Sequence, residues 1–578
     1  MIPTKKEERL GYFQDLYEKA KIAFSAEQEL LRRHMAQYRG SCEIDGSPTP
    51  ATAIRNITYE IIEGQISSTI PAPKVSPLRV GEAGERNATA IERLCARLRD
   101  ELPFERLNDL DERYTTIYGA SVWLVEWDST IERAGERGGI RVSCLSPESF
   151  IPQPHMEEIA DMEYCFLRFS VPRAELRRRY GIDAREELLA DAESDSTITD
   201  EDTVTVVTCF YKDGEGQVGR FVFSGGAILS DLADYYGRKR RVCTRCHAPH
   251  GECNCNVSFT FEEVDEEMLP LPAEDGLTKR TGRVAFYRPR RFPVVLRKNI
   301  SRAGSCLGQS DCEVIRPQQQ QINKLESRIQ AKLMRSGITP IMPEGARVCP
   351  DNSIFGQVLR LAPGESASMY GVIDTTPDIS QEIAQSNRLY EQARRIVGIS
   401  DSFVGLSDDT ASSGYAKRLQ IEQAAGRLDS KRRMKEAAYA DIDRLIFEFT
   451  LAYADEEKRV SYRDAYGRLH ESCFNRYDFL FLDERSGRFL YDDAYLFATD
   501  KNGGIEQQRE ALWSRNLENL RAGTLGDPGD PVTLLRYWQN QERAHYPYAR
   551  ENVEYFSDVL KNQEERGEIY EANDQSEC

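Results

Sequence analysis

Residues 398–454 read GISDSFVGLSDDTASSGYAKRLQIEQAAGRLDSKRRMKEAAYADIDRLIFEFTLAYA, and their pattern decides the fold. From Tyr415 to about Ala454 there is no proline, and Ala438, Ile442, Leu445, Phe449 and Ala452 recur at 4-3-4-3 spacing, the period of one helix face. The run predicts a helix of roughly 60 Å at 1.5 Å per residue. A helix of that length in a mixed chain is a strut rather than a catalytic scaffold. The stretch before it, 398–414, has no apolar period and carries Asp401, Ser402, Phe403, Asp408 and Asp409. Loops beyond about 12–15 residues are uncommon and often functional, although an ordinary helix–helix connection remains the plain alternative.

Outward from this strut, both periods appear. Upstream, 378–397 is helical, with Pro377 suited to a first helical position behind Thr376. Residues 338–373 read as short strands and turns. A helix begins near Ser310, where Ser310 and Glu313 fit a capping box, although Pro317 loosens that boundary. Its apolar stripe is Ile322, Leu325, Ile329 and Leu333; a basic stripe runs through Lys324, Arg328, Lys332 and Arg335. The basic stripe could meet phosphates, a neighbouring subunit or only solvent.

The N-terminal forty residues form an amphipathic helix on Leu10, Phe13, Leu16, Tyr17, Ala20 and Phe24. A second stripe follows at Ile54, Ile57, Ile61 and Ile62, and 86–117 is helical. SVWLVEWD (121–128) alternates as a strand, and TVTVVTCFY (203–211) and GRFVFS (219–224) make a hairpin across 213–216. Residues 183–202 form an acidic loop, strands are expected over 458–497, and helices follow. The basic runs Arg238–Arg241 and Arg427–Arg433 read as surface charge. The class is α+β.

The chain has 578 residues, 30% charged and 40% hydrophobic, with a net charge of −19. That balance disfavours a protein gripping nucleic acid over its whole surface, which needs neutralised phosphates. It is compatible with simple solubility or with a wall past which DNA slides. The first residues lack a secretory h-region and no run approaches the length of a membrane span, so a cytoplasmic site of synthesis is expected.

Most of the 14 cysteines are scattered, as in a reduced protein. Four cluster in CTRCHAPHGECNC: Cys243, Cys246, Cys253 and Cys255, with His247 and His250 between the pairs. A Cys-x-x-Cys turn sets two thiolates on one tetrahedral ion, and a second pair can close the shell. Structural Zn2+ is therefore expected, either histidine being an alternative ligand; a reduced cysteine-rich loop is the other reading.

The N-terminal helix and four passages resemble the portal, or head–tail connector, proteins of tailed bacteriophages. NITYEIIEGQISSTIPAPKVSP (56–77) and RYTTIYGASVWLVEWD (113–128) are similar to the portal wing. RFPVVLRKNISRAGSCLGQSDCEVIRPQQQQINKLESRIQAKLM (291–334) resembles the approach to the stem helix. Residues 398–428 resemble the tunnel loop and the helix behind it, with Ser413-Gly414 before that helix.

The resemblance implies a ring of about twelve subunits with wing, stem, clip and crown regions and a long kinked helix. By it, 1–200 is the N-terminal wing, 201–305 the clip with a zinc-binding insert at 238–260, and 306–336 the stem helix. Residues 337–377 are then a wing β segment, 378–456 carry the tunnel loop (398–414) and long helix, and 457–578 are the C-terminal wing and crown. The implied role is a virion conduit for DNA packaging and ejection at one capsid vertex. The implied partners are other copies of the chain, the terminase large subunit, head-completion adaptors, the major capsid and scaffolding proteins, and duplex DNA in transit. The tunnel loop would present Asp401, Ser402, Phe403, Asp408 and Asp409 to that DNA, and the stem Lys324, Arg328, Lys332 and Arg335.

No GxxxxGK[ST] loop, HExxH or GxSxG elbow occurs, so no catalytic residues are assigned and no enzyme is expected. The rival from another class is a zinc-stabilised nucleic-acid-binding protein reading through its cysteine cluster. Small size and salt-dependent duplex binding would distinguish it from a ring.

Overall fold

The computed structural model describes residues 5–79, 81–133, 136–172, 203–245, 259–272, 279–335, 338–341, 349–353, 356–360, 371–374, 377–399, 414–463, 469–483, 488–499, 505–543 and 549–560, with a few isolated positions besides. Helix and sheet are mixed throughout, an α+β architecture.

Helix α1 (Lys6–Tyr38) lies across an antiparallel five-stranded sheet of β4 (Phe150–Pro152), β5 (Tyr164–Pro172), β6 (Thr203–Lys212), β7 (Val218–Ser224) and β8 (Ala227–Leu232). The predicted stripe carries the contact. Phe13 stacks on Phe221 at 4.5 Å between ring centroids, and Tyr17 meets Phe166 edge-on at 5.4 Å. Arg9 closes one end, donating to the Tyr211 hydroxyl and the Asp231 carboxylate at 2.8 Å each. A boundary at 200/201 therefore runs between β5 and β6 of a single sheet, whose ladder pairs Val171 with Val204.

The second layer centres on β2 (Ala120–Arg133), flanked by β3 (Glu136–Leu145) and β13 (Val294–Lys298). Val122, Trp123, Leu124 and Val125 are all buried, so this strand is covered on both faces. Helices α3 (Glu82–Glu101) and α4 (Phe104–Tyr118) precede it. The sequence reads 86–117 as one helix; the chain breaks it at Leu102-Pro103, because proline supplies no N–H to a helix interior.

Helix α4 turns into β2 at Gly119, whose φ is +90° and whose Cβ, if it had one, would strike the Gly308 carbonyl. Gly308 is held equally close to the Gly119 carbonyl. Two turns far apart in sequence meet backbone to backbone here, which only glycine at both positions allows.

Five further elements extend from this centre. Short α2 (Ile57–Glu63) precedes β1 (Pro73–Pro77). Helix α5 spans Asp311–Arg335 with Pro317 inside it, and α6 spans Ser380–Val397. The start of α6 lies beyond Pro377, since Asp378 Oδ1 accepts the Ser380 N–H at 2.9 Å and delays the first turn. Helix α7 spans Gly414–Tyr453, 40 residues.

Between α5 and α6, β14 (Ile338–Ile341) pairs with β17 (Gly371–Asp374), and β15 (Cys349–Ser353) with β16 (Gly356–Arg360), one pair nested in sequence inside the other. Strands β9 (Arg238–Cys243) and β10 (Phe259–Val264) pair, as do β11 (Glu266–Pro272) and β12 (Lys279–Ala285). After α7 come the pairs β18 (Lys458–Arg463) with β19 (Leu469–Phe474) and β20 (Leu480–Asp483) with β21 (Arg488–Tyr491). Then β22 (Tyr495–Thr499) returns to β1, Val75 facing Phe497. Helices α8 (Ile505–Arg521) and α9 (Pro531–Arg543) follow and pack on each other.

Candidate functional site

The root of α5 is where the passages singled out in the sequence converge. Ser310 Oγ accepts the Cys312 N–H at 3.0 Å and donates to the Ile117 carbonyl, tying the start of α5 to the end of α4. Asn299 N–H donates to the Gly119 carbonyl at 2.8 Å. Asp311, almost wholly buried, accepts from Asn299 Nδ2 at 3.0 Å and from Lys431 Nζ of α7 at 2.6 Å. Lys431 also reaches Gln65 at 3.0 Å. One carboxylate thus joins α5, the 299–310 turn and α7.

Deeper in, Arg297 of β13 bridges Asp111 and Glu112 of α4, its guanidinium 2.8 Å from Glu112 Oε1. Lys435 of α7 reaches the same Glu112 oxygen at 2.9 Å and the Thr69 carbonyl at 2.6 Å. Trp123 Nε1 donates to Asp111 at 2.9 Å, and Ser121 Oγ donates to the same oxygen. Burial works against the Glu112 carboxylate, but Arg297 and Lys435 outweigh it and hold its pKa below the usual range. Burial pulls Lys435 below an ordinary lysine, with Glu112 opposing.

One turn on, Tyr439 donates to Asn108 at 3.0 Å, and one further turn brings Asp443 within 2.5 Å of Arg99. Burial pushes Asp443 up to about 6 in spite of that arginine. Residues 431, 435, 439 and 443 form a polar seam at spacing four along α7, beside the apolar stripe. The seam is visible in the sequence as Lys-x3-Lys-x3-Tyr-x3-Asp, but charge at that spacing reads equally as a solvated face. Within the run 427–433, expected as surface charge, Arg432 and Arg433 are exposed while Lys431 is turned inward onto Asp311. Of the run 238–241, Arg238 is likewise engaged: it donates to the Ala452 carbonyl at 3.1 Å and pairs with Asp455 at 2.6 Å, capping the end of α7.

Helices α5 and α6 run antiparallel. Lys332 pairs with Glu382 near one end, Ser386 donates to Glu326 at 2.9 Å in the middle, and Ile315 and Ile322 share a small core with Leu389, Ala393 and Val397. That core also takes Ile57 and Ile61 of α2. Gln319 locks α2 to α5, accepting from Thr58 N–H and Oγ1 at 3.0 Å each.

Of the predicted basic stripe, Lys324 and Arg328 are exposed, Lys332 is engaged with Glu382 and the Asp378 carbonyl, and Arg335 is the last residue of α5. The loop residues Asp401, Ser402, Phe403, Asp408 and Asp409 lie outside the described residues, as do Cys246, His247, His250, Cys253 and Cys255. Cys243 ends β9 opposite Phe259, is fully buried, and its sulfur accepts the Arg245 N–H at 3.4 Å. Among the described residues no group of three or more His, Cys, Asp or Glu could hold a metal, and no helix is long and apolar enough to cross a membrane. No family model matches this chain, and no curated protein matches it either.

Proposed function

We propose that this chain is a ring-forming conduit subunit for double-stranded DNA, of the tailed-phage portal kind. The observation that carries the reading is the antiparallel α5–α6 pair. Its root is locked into the core through Ser310, Asp311 and Gln319, its far end carries the nested strands β14–β17, and the chain continues through 400–413 to a 40-residue helix whose 438–452 stretch is seated in that core. Such an arrangement suits a stem held rigidly by a wing. In this reading the nested strands form the clip, rather than residues 201–305, because β6–β8 belong to the sheet under α1. The exposed Lys324 and Arg328 face either the lumen or a neighbouring copy, and the net charge of −19 suits a wall that does not hold DNA tightly. Terminase and head-completion adaptors would dock at the clip, and capsid protein around the wing. The virion is the expected location, and no catalysis is assigned. Negative-stain microscopy of the purified chain should show rings of about twelve copies with a central hole. Monomers that bind duplex with a steep salt dependence would replace this reading with that of a nucleic-acid-binding protein.

The proposal includes one structural Zn2+ per subunit on the 238–260 segment. Cys243 fits the first position of a Cys-x-x-Cys turn, since a backbone N–H two residues on already donates to its sulfur and would stabilise a thiolate. Elemental analysis after metal-replete expression should find about one zinc per chain, reduced in Cys243→Ser. A wild-type chain purified without zinc removes this element and leaves the conduit reading intact.

A further inference from the structure

Four segments meet around Glu448 on α7, well away from the seam at its other face. From the turn after β8, Tyr236 donates to the Arg291 carbonyl at 2.7 Å. From the segment before β13, Tyr287 donates to Asp493 Oδ2 at 3.0 Å. From the segment entering β22, the Tyr495 carbonyl accepts from Arg444 of α7 at 3.3 Å. Glu448 sits among them only 7% exposed.

Its charge is met by two long ion pairs and by no hydrogen bond. Oε1 lies 3.6 Å from Arg291 Nε and 3.9 Å from Arg444 Nε, too far for hydrogen bonds, and Oε2 is buried with no partner. The other charged groups facing it, Asp493 and Asp441, are negative, and Tyr236 and Tyr287 add only hydroxyls. A buried carboxylate whose ion pairs supply no hydrogen bond, and whose second oxygen has no partner, can lose more by desolvation than those pairs return, whereas a neutral carboxyl in the same place does not carry that cost.

We propose that Glu448 is a proton-operated clasp holding the returning strand β22 against α7. With the proton on, the carboxyl is neutral and the four segments close around it. When the proton leaves to solvent, the buried anion either draws Arg291 and Arg444 inward or opens the joint, and both loosen the 491–499 passage that leads to α8 and α9. Burial pushes the carboxyl up to about 7, with Arg291 and Arg444 opposing and the two aspartates adding to the rise. A carboxyl raised above its unfolded value favours folding at low pH, and that contribution is lost as pH rises from about 4.5 through about 7. The device is a property of the single chain and does not rest on ring assembly.

Hydrogen exchange on the full-length protein at pH 5.5 and pH 8, corrected for intrinsic exchange, tests the clasp. Backbone amides of 494–499 should lose on the order of tenfold protection at the higher pH, and Glu448→Gln should remove that dependence. Arg291→Gln, at a half-exposed position, should move the midpoint to higher pH by taking away a favourable charge. The same pH profile in Glu448→Gln as in the wild type, or a midpoint unmoved or lowered in Arg291→Gln, would overturn the proposal.

Discussion

Helices α5 and α7 are the two long helices that meet at Asp311, and they are stabilised in opposite ways. From Ala438 to Ala452, α7 is buried on nearly all sides: Tyr439, Ile442, Ile446, Phe447, Phe449 and Leu451 each keep 1% or less of their surface exposed. A helix buried on nearly all sides, its buried acids Asp443 and Glu448 paired with arginines of other elements, is a core post. Helix α5 buries Ile315, Ile322 and Ile329, seven residues apart, and turns Lys324 and Arg328 to solvent. One apolar stripe can satisfy one partner helix and little more. The difference separates a post, whose position the whole core determines, from a projecting pair that depends on its root.

Breaking the post should have the largest effect. Arg297→Leu removes the guanidinium shared by Asp111 and Glu112 and leaves buried carboxylates uncompensated, at a cost of about 3–5 kcal/mol. Chemical denaturation should show the folded state weakened as a whole, with β2, α4 and α7 lost together. A loss confined to α5 and α6 would contradict the distinction.

In the projecting pair, Ile322→Ala deletes the centre of a small core at a cost of roughly 2–5 kcal/mol. Exchange should rise first along 311–335 and 380–397 while the amides of 438–452 stay protected. Simultaneous loss of both sets would make the pair part of the main cooperative unit.

His34 reports on the joint between them. It is buried on α1 beside Arg316 of α5, and burial, with Arg316 and Arg302 adding, lowers its pKa to about 4. The unfolded chain takes up the proton first, so stability is lost as pH falls from about 6.5 toward 4. The loss reaches up to about 3 kcal/mol at the acid end. Thermal melts of His34→Gln should lack this acid limb. The sign is opposite to that of Glu448, so the two groups together favour a window between them.

The smallest effect belongs to the Lys332–Glu382 pair at the far end of α5 and α6. Lys332 is about a third exposed, and Lys332→Gln should cost less than about 1 kcal/mol in a melt at moderate salt. A larger loss would mean that the tip, rather than the root, holds the pair together.

Much of this was legible locally. The 4-3-4-3 stripe of α7 and the Phe13–Tyr17–Phe24 stripe of α1 are local periods, and each buries the face it predicts. Gly119 and Gly308 carry turn signals, but nothing in either passage says that they touch. The buried polar seam was missed because a lysine at spacing four has the same local pattern whether its acid lies in solvent or in another helix. Asp311 and Lys431 are 120 residues apart, and Asp111 and Arg297 are 186 apart.

The sequence alone determined most of the long helices and the strands at 121–128 and 203–224, since hydrophobic period, proline and glycine act over a few residues. It also determined the acidic balance and the cysteine spacing on which the zinc proposal rests. Only the tertiary structure decided that Lys435 and Arg297 are core residues, that β22 returns to β1, that α6 runs back along α5, and that Glu448 is buried without a hydrogen bond. Those are pairings across the whole chain, chosen by which burial leaves the fewest charges uncompensated, and no window of a few residues contains that comparison.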